Sequence, residues 1–171
     1  MNAATVLTDA FGRIHEAAHQ AVQGLSSSQL ALRLDADANP VSWLAWHLAR
    51  VQDDHVAAAA GIEQVWTTGG WWARMAVPVD AADIGYGHDR AQVAAVADAV
   101  SDAALLLGYL DATHEATLGV VAGLSDDDLD RIVDERWDPP VTMGVRLVSV
   151  VADNLQHAGQ AAYLRGLLMR R

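Results

Sequence analysis

Four long stretches of this chain repeat apolar residues every three or four positions, and glycine, proline or short polar clusters separate them. That spacing is the α-helical period, so each stretch has a face to bury. The first runs from about Ala4 to Gln23, with Leu7, Phe11, Ile14, Ala18 and Val22 as its stripe and Gly24 after it. The second runs from Val41 to Ala60, between Pro40 and Gly61. The third runs from about Arg90 to Ala122, with Ser101 and Gly108 as weak points, and the fourth from Val141 or Gly144 to Leu168. Four such helices predict an all-α four-helix bundle, one domain over residues 1–171. Between the second and third, residues 61–88 show no helical period and hold Trp66, Trp71, Trp72 and Tyr86. A link this long can cross the bundle, which lets successive helices run parallel in an up-down-down-up order; links of that length are often functional. Ser125 reads as the N-cap of a short acidic turn, and WDPPVTMG as a second cluster of helix breakers.

Charge and composition remove several classes of function. The formal net charge is −11, and no basic stripe offsets it, so nucleic acid is not an expected partner. No apolar run reaches the roughly 18 residues of a membrane span, and MNAATVLTDAFGRIHE lacks the basic start and apolar stretch of a signal peptide. The chain has no cysteine, which excludes disulfides, thiolate metal sites and a cysteine nucleophile. Any thiol chemistry must use a thiol carried in by a substrate or cofactor. These features point to a cytoplasmic protein.

Three polar residues stand where the helices should be apolar. His47 lies in the stripe of WLAWHLARVQDDH, with Trp43, Leu44, Val51 and Ala58 on the same side. Asp153 and His157, in VVADNLQHAGQ, are four apart and share a helical face. If the two helices pack together, two imidazoles and a carboxylate meet with coordination positions to spare, the donor set of a catalytic divalent-metal centre. A lone histidine on an apolar face is more often a hydrogen-bonded core residue. The pair strengthens the metal reading, because an unpaired buried carboxylate is costly and a cation would neutralise it.

Other residues fall near these. Asp54, seven beyond His47, shares its face, and with His55 and Gln160 it can orient a ligand or move a proton; the plainer reading of Asp54 is a charged helix end. Arg50 and Arg146 can anchor a substrate carboxylate, although pairing with acids is commoner. Trp71 and Trp72 line a substrate pocket or cover the bundle end, packing being the commoner fate, and Tyr86 and His88 belong to the same link. His15 and His19 also have metal-chelating spacing, but they flank the first stripe and read as boundary residues. His114 beside Glu115 reads as a solvated face.

The stretches NPVSWLAWHLARVQDDH and PPVTMGVRLVSVVADNLQHAGQAAYLRGLL resemble the DinB/YfiT-like superfamily, in a subfamily related to mycothiol-dependent maleylpyruvate isomerases and thiol S-transferases. The resemblance covers essentially the whole chain. It implies an up-down-down-up four-helix bundle, a homodimer, and a divalent metal held by three histidines. His47 and His157 match two of those ligands. Asp153 stands where many relatives carry histidine and where the mycothiol-dependent isomerases carry glutamate.

The expected function is that of a divalent-metal-dependent transferase or isomerase using a low-molecular-weight thiol and a small electrophile. Zinc or nickel would be held by His47, Asp153 and His157. The alternatives are a metal-dependent hydrolase at the same site, and a non-enzymatic small-molecule or stress-response binding module whose site is degenerate.

Overall fold

A computed structural model describes residues 2–170; Met1 and Arg171, the ends of the expected domain, lie outside them. The chain is mostly helical. Helix α1 spans Ala3–Val22, its start capped by the Asn2 side chain accepting from the Thr5 N–H. A single-turn α2, Ser27–Leu30, begins with a reciprocal cap between Ser26 and Gln29. Helix α3, Val41–Ala60, has the bounds expected from Pro40 and Gly61. The link beyond it is less irregular than its pattern, since it forms two short helices, α4 at Val65–Thr68 and α5 at Trp71–Met75.

The expected third helix is broken. It consists of α6, Arg90–Ala99, and α7, Ala103–Val121, bent by 95° from one another. The break is a stop followed at once by a start. Ser101 Oγ donates to the Asp98 carbonyl, and the Asp102 carboxylate accepts from the Ala104 and Leu105 N–H groups. The apolar period runs through this point, but a local cap outcompetes continuation of the helix. An acidic 3₁₀ turn, Asp127–Asp130, follows; its N-cap is Asp126 and not the expected Ser125, whose Oγ accepts from the Asp128 N–H one residue before the cap. Two strands unexpected from the breaker-rich sequence come next: β1, Ile132–Asp134, pairs antiparallel with β2, Val141–Thr142. Helix α8, Met143–Leu168, closes the chain. No single helix among the described residues is long and apolar enough to cross a membrane.

Helices α1 and α3 each pack on both α7 and α8. Arg165, near the end of α8, donates to the Gln23 carbonyl just past the end of α1. The Ala3 N–H, at the start of α1, donates to Asp126 beyond the end of α7. Along α3, Arg50 meets Tyr109 and Gln52 meets Thr117, so numbers rise together on α3 and α7. Against α8 they run oppositely: His47 meets His157, and Gln52 accepts from Asn154.

Two apolar clusters fill the interior. One gathers Trp46, Trp66, Leu106 and Tyr109; the other gathers Phe11, Ile14, Met143 and Leu147. Each such side chain contributes about 1.5–3 kcal/mol by leaving water. Helix α3 is buried at every residue from Val41 to Asp53, not along one stripe only. Its far side is covered by the link, because Asp53 accepts the Val65 and Trp66 N–H groups and Arg50 donates to the carbonyls of Ala81 and Asp83. This enclosure is what takes His47 out of water.

Candidate metal centre

Helices α3 and α8 bring His47, Asp153 and His157 together, with one ligand atom from each lying within 4.8 Å of the others. Asp153 and His157 sit one turn apart on α8, with His157 Nε2 3.7 Å from Asp153 Oδ1. His47 arrives from α3, its ring edge-on to His157 at 4.7 Å. Both imidazoles are oriented through their other nitrogen. His47 Nδ1 donates to the Ile84 carbonyl, and His157 Nδ1 lies 3.3 Å from Gln160 Oε1, its acceptor. Each ring then keeps its proton on Nδ1 and presents the lone pair of Nε2, the arrangement that outer partners impose on metal-binding histidines.

Electrostatics favours the same state. Burial pushes the His47 pKa down to about 4, against a smaller opposing effect of its bond to Ile84, and the neighbouring His157 lowers it further. At neutral pH His47 is therefore an uncharged ligand. Its ring is sandwiched: Trp43 stacks on it at 4.6 Å and 16°, and Tyr86 stands edge-on at 5.3 Å. The Trp43 indole N–H donates to His88 Nδ1, and His88 Nε2 donates to Asp83. Gly85, between Asp83 and His88, has φ +97° and lies so close to His47 that a Cβ would stand 2.7 Å from its Nδ1.

The family model described as DinB superfamily matches residues 10–161. The chain belongs to the DinB superfamily. A solved structure described as the conserved protein of locus from Enterococcus faecalis is similar throughout, with a TM-score of 0.90 at 27% identity, covering 100% of this chain and 99% of that one. No curated protein matches the chain.

In this DinB-superfamily chain the donor set fits a divalent cation. Asp153 Oδ2 is buried and has no hydrogen-bond partner, a state that is costly for a carboxylate oxygen unless a positive centre faces it. Two imidazole nitrogens and one carboxylate make a mixed site that leaves coordination positions for water or substrate.

A cleft of about 570 Å³ opens beside Asp153, with His55, Tyr86, Trp137 and Arg146 among its walls. Asp54 Oδ2 holds His55 Nδ1 at 3.2 Å, and that bond keeps the Asp54 carboxyl below the usual carboxylate range. In the same cleft Asp134 binds both Arg136 and Arg146; the Arg136 guanidinium holds its carboxyl far below the ordinary range.

The other expected site residues divide into two groups. Tyr86, His55 and Arg146 line the cleft, Asp54 contacts His55, and Gln160 contacts His157. Arg50, Trp71 and Trp72 lie elsewhere. Arg50 is fully buried, and its guanidinium is spent on Gln64, Tyr109 and two link carbonyls, with Trp66 beneath it. Trp71 packs against Tyr109 and Gly108 under the Arg74 guanidinium, while Trp72 donates to the Val79 carbonyl. Arg50 and Trp71 tie the link to α3 and α7, whereas Trp72 is exposed and bonds only within the link.

Ile84, Gly85, Asp83, Asp134, Arg136 and Trp137 shape the centre without having stood out as candidates. The GYG run marks a backbone able to approach another group closely, the one sequence signal that pointed to Gly85. A backbone carbonyl such as that of Ile84 carries no side-chain signature at all.

Proposed function

We infer that this protein is a divalent-metal-dependent enzyme that joins a low-molecular-weight thiol, of the mycothiol kind, to a small electrophile or isomerises the adduct. The observation that carries the reading is the convergence of His47, Asp153 and His157, with both Nδ1 atoms held by oxygen acceptors and one carboxylate oxygen buried without a partner. A bound cation, with zinc and nickel the first candidates for two imidazoles and a carboxylate, would supply Lewis acidity that lowers the pKa of a thiol or a water.

The chain's own residues would do the rest. It has no cysteine, so the thiol must enter with the substrate. His55, oriented by Asp54 on the cleft wall, can accept the thiol proton. Asp134 offsets only one of the two guanidiniums it binds, so Arg136 and Arg146 together favour an anionic group on the electrophile. Trp137 and Tyr86 supply apolar surface on the same cleft.

The contact directions along the helices support an up-down-down-up bundle, with α1 and α8 parallel, and α3 and α7 parallel to each other and opposed to the first pair. We further infer a homodimer, supported by an exposed apolar line along α8, and a cytoplasmic protein, supported by the absence of cysteine.

The test begins with elemental analysis of the purified protein, followed by thiol consumption measured against a panel of small electrophiles. Metal-dependent loss of free thiol that disappears in His157→Ala supports the reading. Turnover of the same panel by water, with thiol unchanged, would replace it by metal-dependent hydrolysis. Failure to bind any divalent ion would leave a small-molecule binding module.

A further inference from the structure

The contact between α1 and α7 gathers a second set of imidazoles, in which no residue of the first centre takes part. His15 and His19 lie one turn apart on α1 and face the same oxygen of α7: His15 Nε2 is 2.7 Å and His19 Nε2 4.0 Å from Asp111 Oδ1. The His114 ring, one turn beyond Asp111, stacks on His15 at 4.3 Å and 11°, and its Nδ1 is buried without a hydrogen-bond partner. His19 and His15 are tilted neighbours at 5.6 Å.

The plain reading is one hydrogen bond, His15 to Asp111, tying two helices. It accounts for His15 and leaves His19 unexplained, since 4.0 Å is beyond hydrogen-bond reach. The donor set repeats that of the first centre: two imidazoles and one carboxylate, two of the three on one helix four residues apart, the third from a neighbouring helix. Ligand atoms bound tetrahedrally at about 2.0 Å stand about 3.3 Å from one another. The two distances to Asp111 bracket that value, but the three ligand atoms do not all lie within 4.8 Å of one another as those of the first centre do, so binding requires the two imidazoles to turn toward each other. His15, His19 and Asp111 are partly exposed, with side-chain accessibilities of 26%, 32% and 50%, so an ion can reach them and their side chains have room to turn. The stacked His114 limits the rotation of His15 and holds it near the required place.

We propose that His15, His19 and Asp111 form a second divalent-cation site that clamps α1 to α7. On binding, His15 gives up its Nε2 hydrogen bond to Asp111, carries its proton on Nδ1 and offers Nε2 to the cation. Asp111 exchanges an imidazole partner for the cation. His19 completes the chelate from the next turn. A soft-to-borderline ion such as zinc suits two imidazoles better than magnesium or calcium does.

The test uses zinc alone, on a chain whose first centre has been removed by His47→Ala and His157→Ala. That variant should retain one zinc per chain in equilibrium dialysis, and zinc should raise its unfolding temperature. Adding His15→Ala or His19→Ala should abolish both effects, and Asp111→Asn should weaken binding at least tenfold. The proposal is overturned if the double variant binds no zinc at micromolar concentration, or if binding survives loss of both His15 and His19. Should the double variant fail to fold, the otherwise unchanged chain decides: His15→Ala and His19→Ala must each lower its zinc content from two per chain to one, and an unchanged content overturns the proposal.

Discussion

A methyl group on Gly85 would sit 2.7 Å from His47 Nδ1 and 3.0 Å from the Trp46 ring, on a backbone with φ +97°. Gly85→Ala therefore combines backbone strain of about 1–3 kcal/mol with displacement of the ring that must present Nε2. Zinc titration should show weakened binding while circular dichroism keeps its helical signal. Unchanged affinity would mean that the link does not position His47. His157→Ala should raise the metal dissociation constant more than about a hundredfold, beyond what loss of an outer partner costs, again with helix content retained. His47 also makes stability depend on pH. Its pKa falls from 6.5 to about 4 on folding, so the unfolded chain binds the proton more readily. The stabilisation is complete above 6.5 and is lost as pH falls towards 4. It amounts to about 3 kcal/mol in the metal-free protein. Urea unfolding at pH 7 and pH 4 should show that loss, and His47→Gln should flatten it.

At the scale of elements, α3 is the axis on which the others depend. Its residues Arg50 and Asp53 hold the link by hydrogen bonds to backbone groups of Ala81, Asp83, Val65 and Trp66. Arg50→Ala would leave Asp53 without its cationic neighbour and free several buried acceptors. Breaking such a buried set costs about 3–5 kcal/mol, so chemical denaturation should show a large loss of stability. A substrate-anchoring Arg50 would instead raise KM at unchanged stability. The break between α6 and α7 is an element-scale event as well. Ser101 and Asp102 are modest signals inside a continuous apolar period, yet they place a stop and a start side by side. Periodicity reports which residues are buried, whereas caps report where a helix ends.

Across the whole molecule, α8 leaves Val145, Val148 and Leu155 exposed, with small Ala152, Gly159 and Ala162 continuing their line, at alternating spacings of three and four residues. That seam is suited to close packing against another helix, and a second copy offers the same seam. Light scattering at micromolar concentration should give a dimer for the unchanged chain and a monomer for Leu155→Glu. A monomer in both would leave the seam without a self-partner. Sequence alone determined the helical character and the bounds of α3 within its proline and glycine, and it singled out the three residues that α3 and α8 bring together, because burial stamps a period on a helix and His47, Asp153 and His157 interrupt it with metal-binding chemistry. Only the tertiary structure decided the rest. The Ile84 carbonyl, the glycine over His47 and the strand pair that carries Asp134 to Arg146 come from chain segments distant in sequence, and a residue's type does not record which backbone group will meet it. Arg50 and Trp71 show the same limit from the other side. Their chemistry suited a substrate, but the link folded over α3, enclosed Arg50 and packed Trp71 against the side of the core.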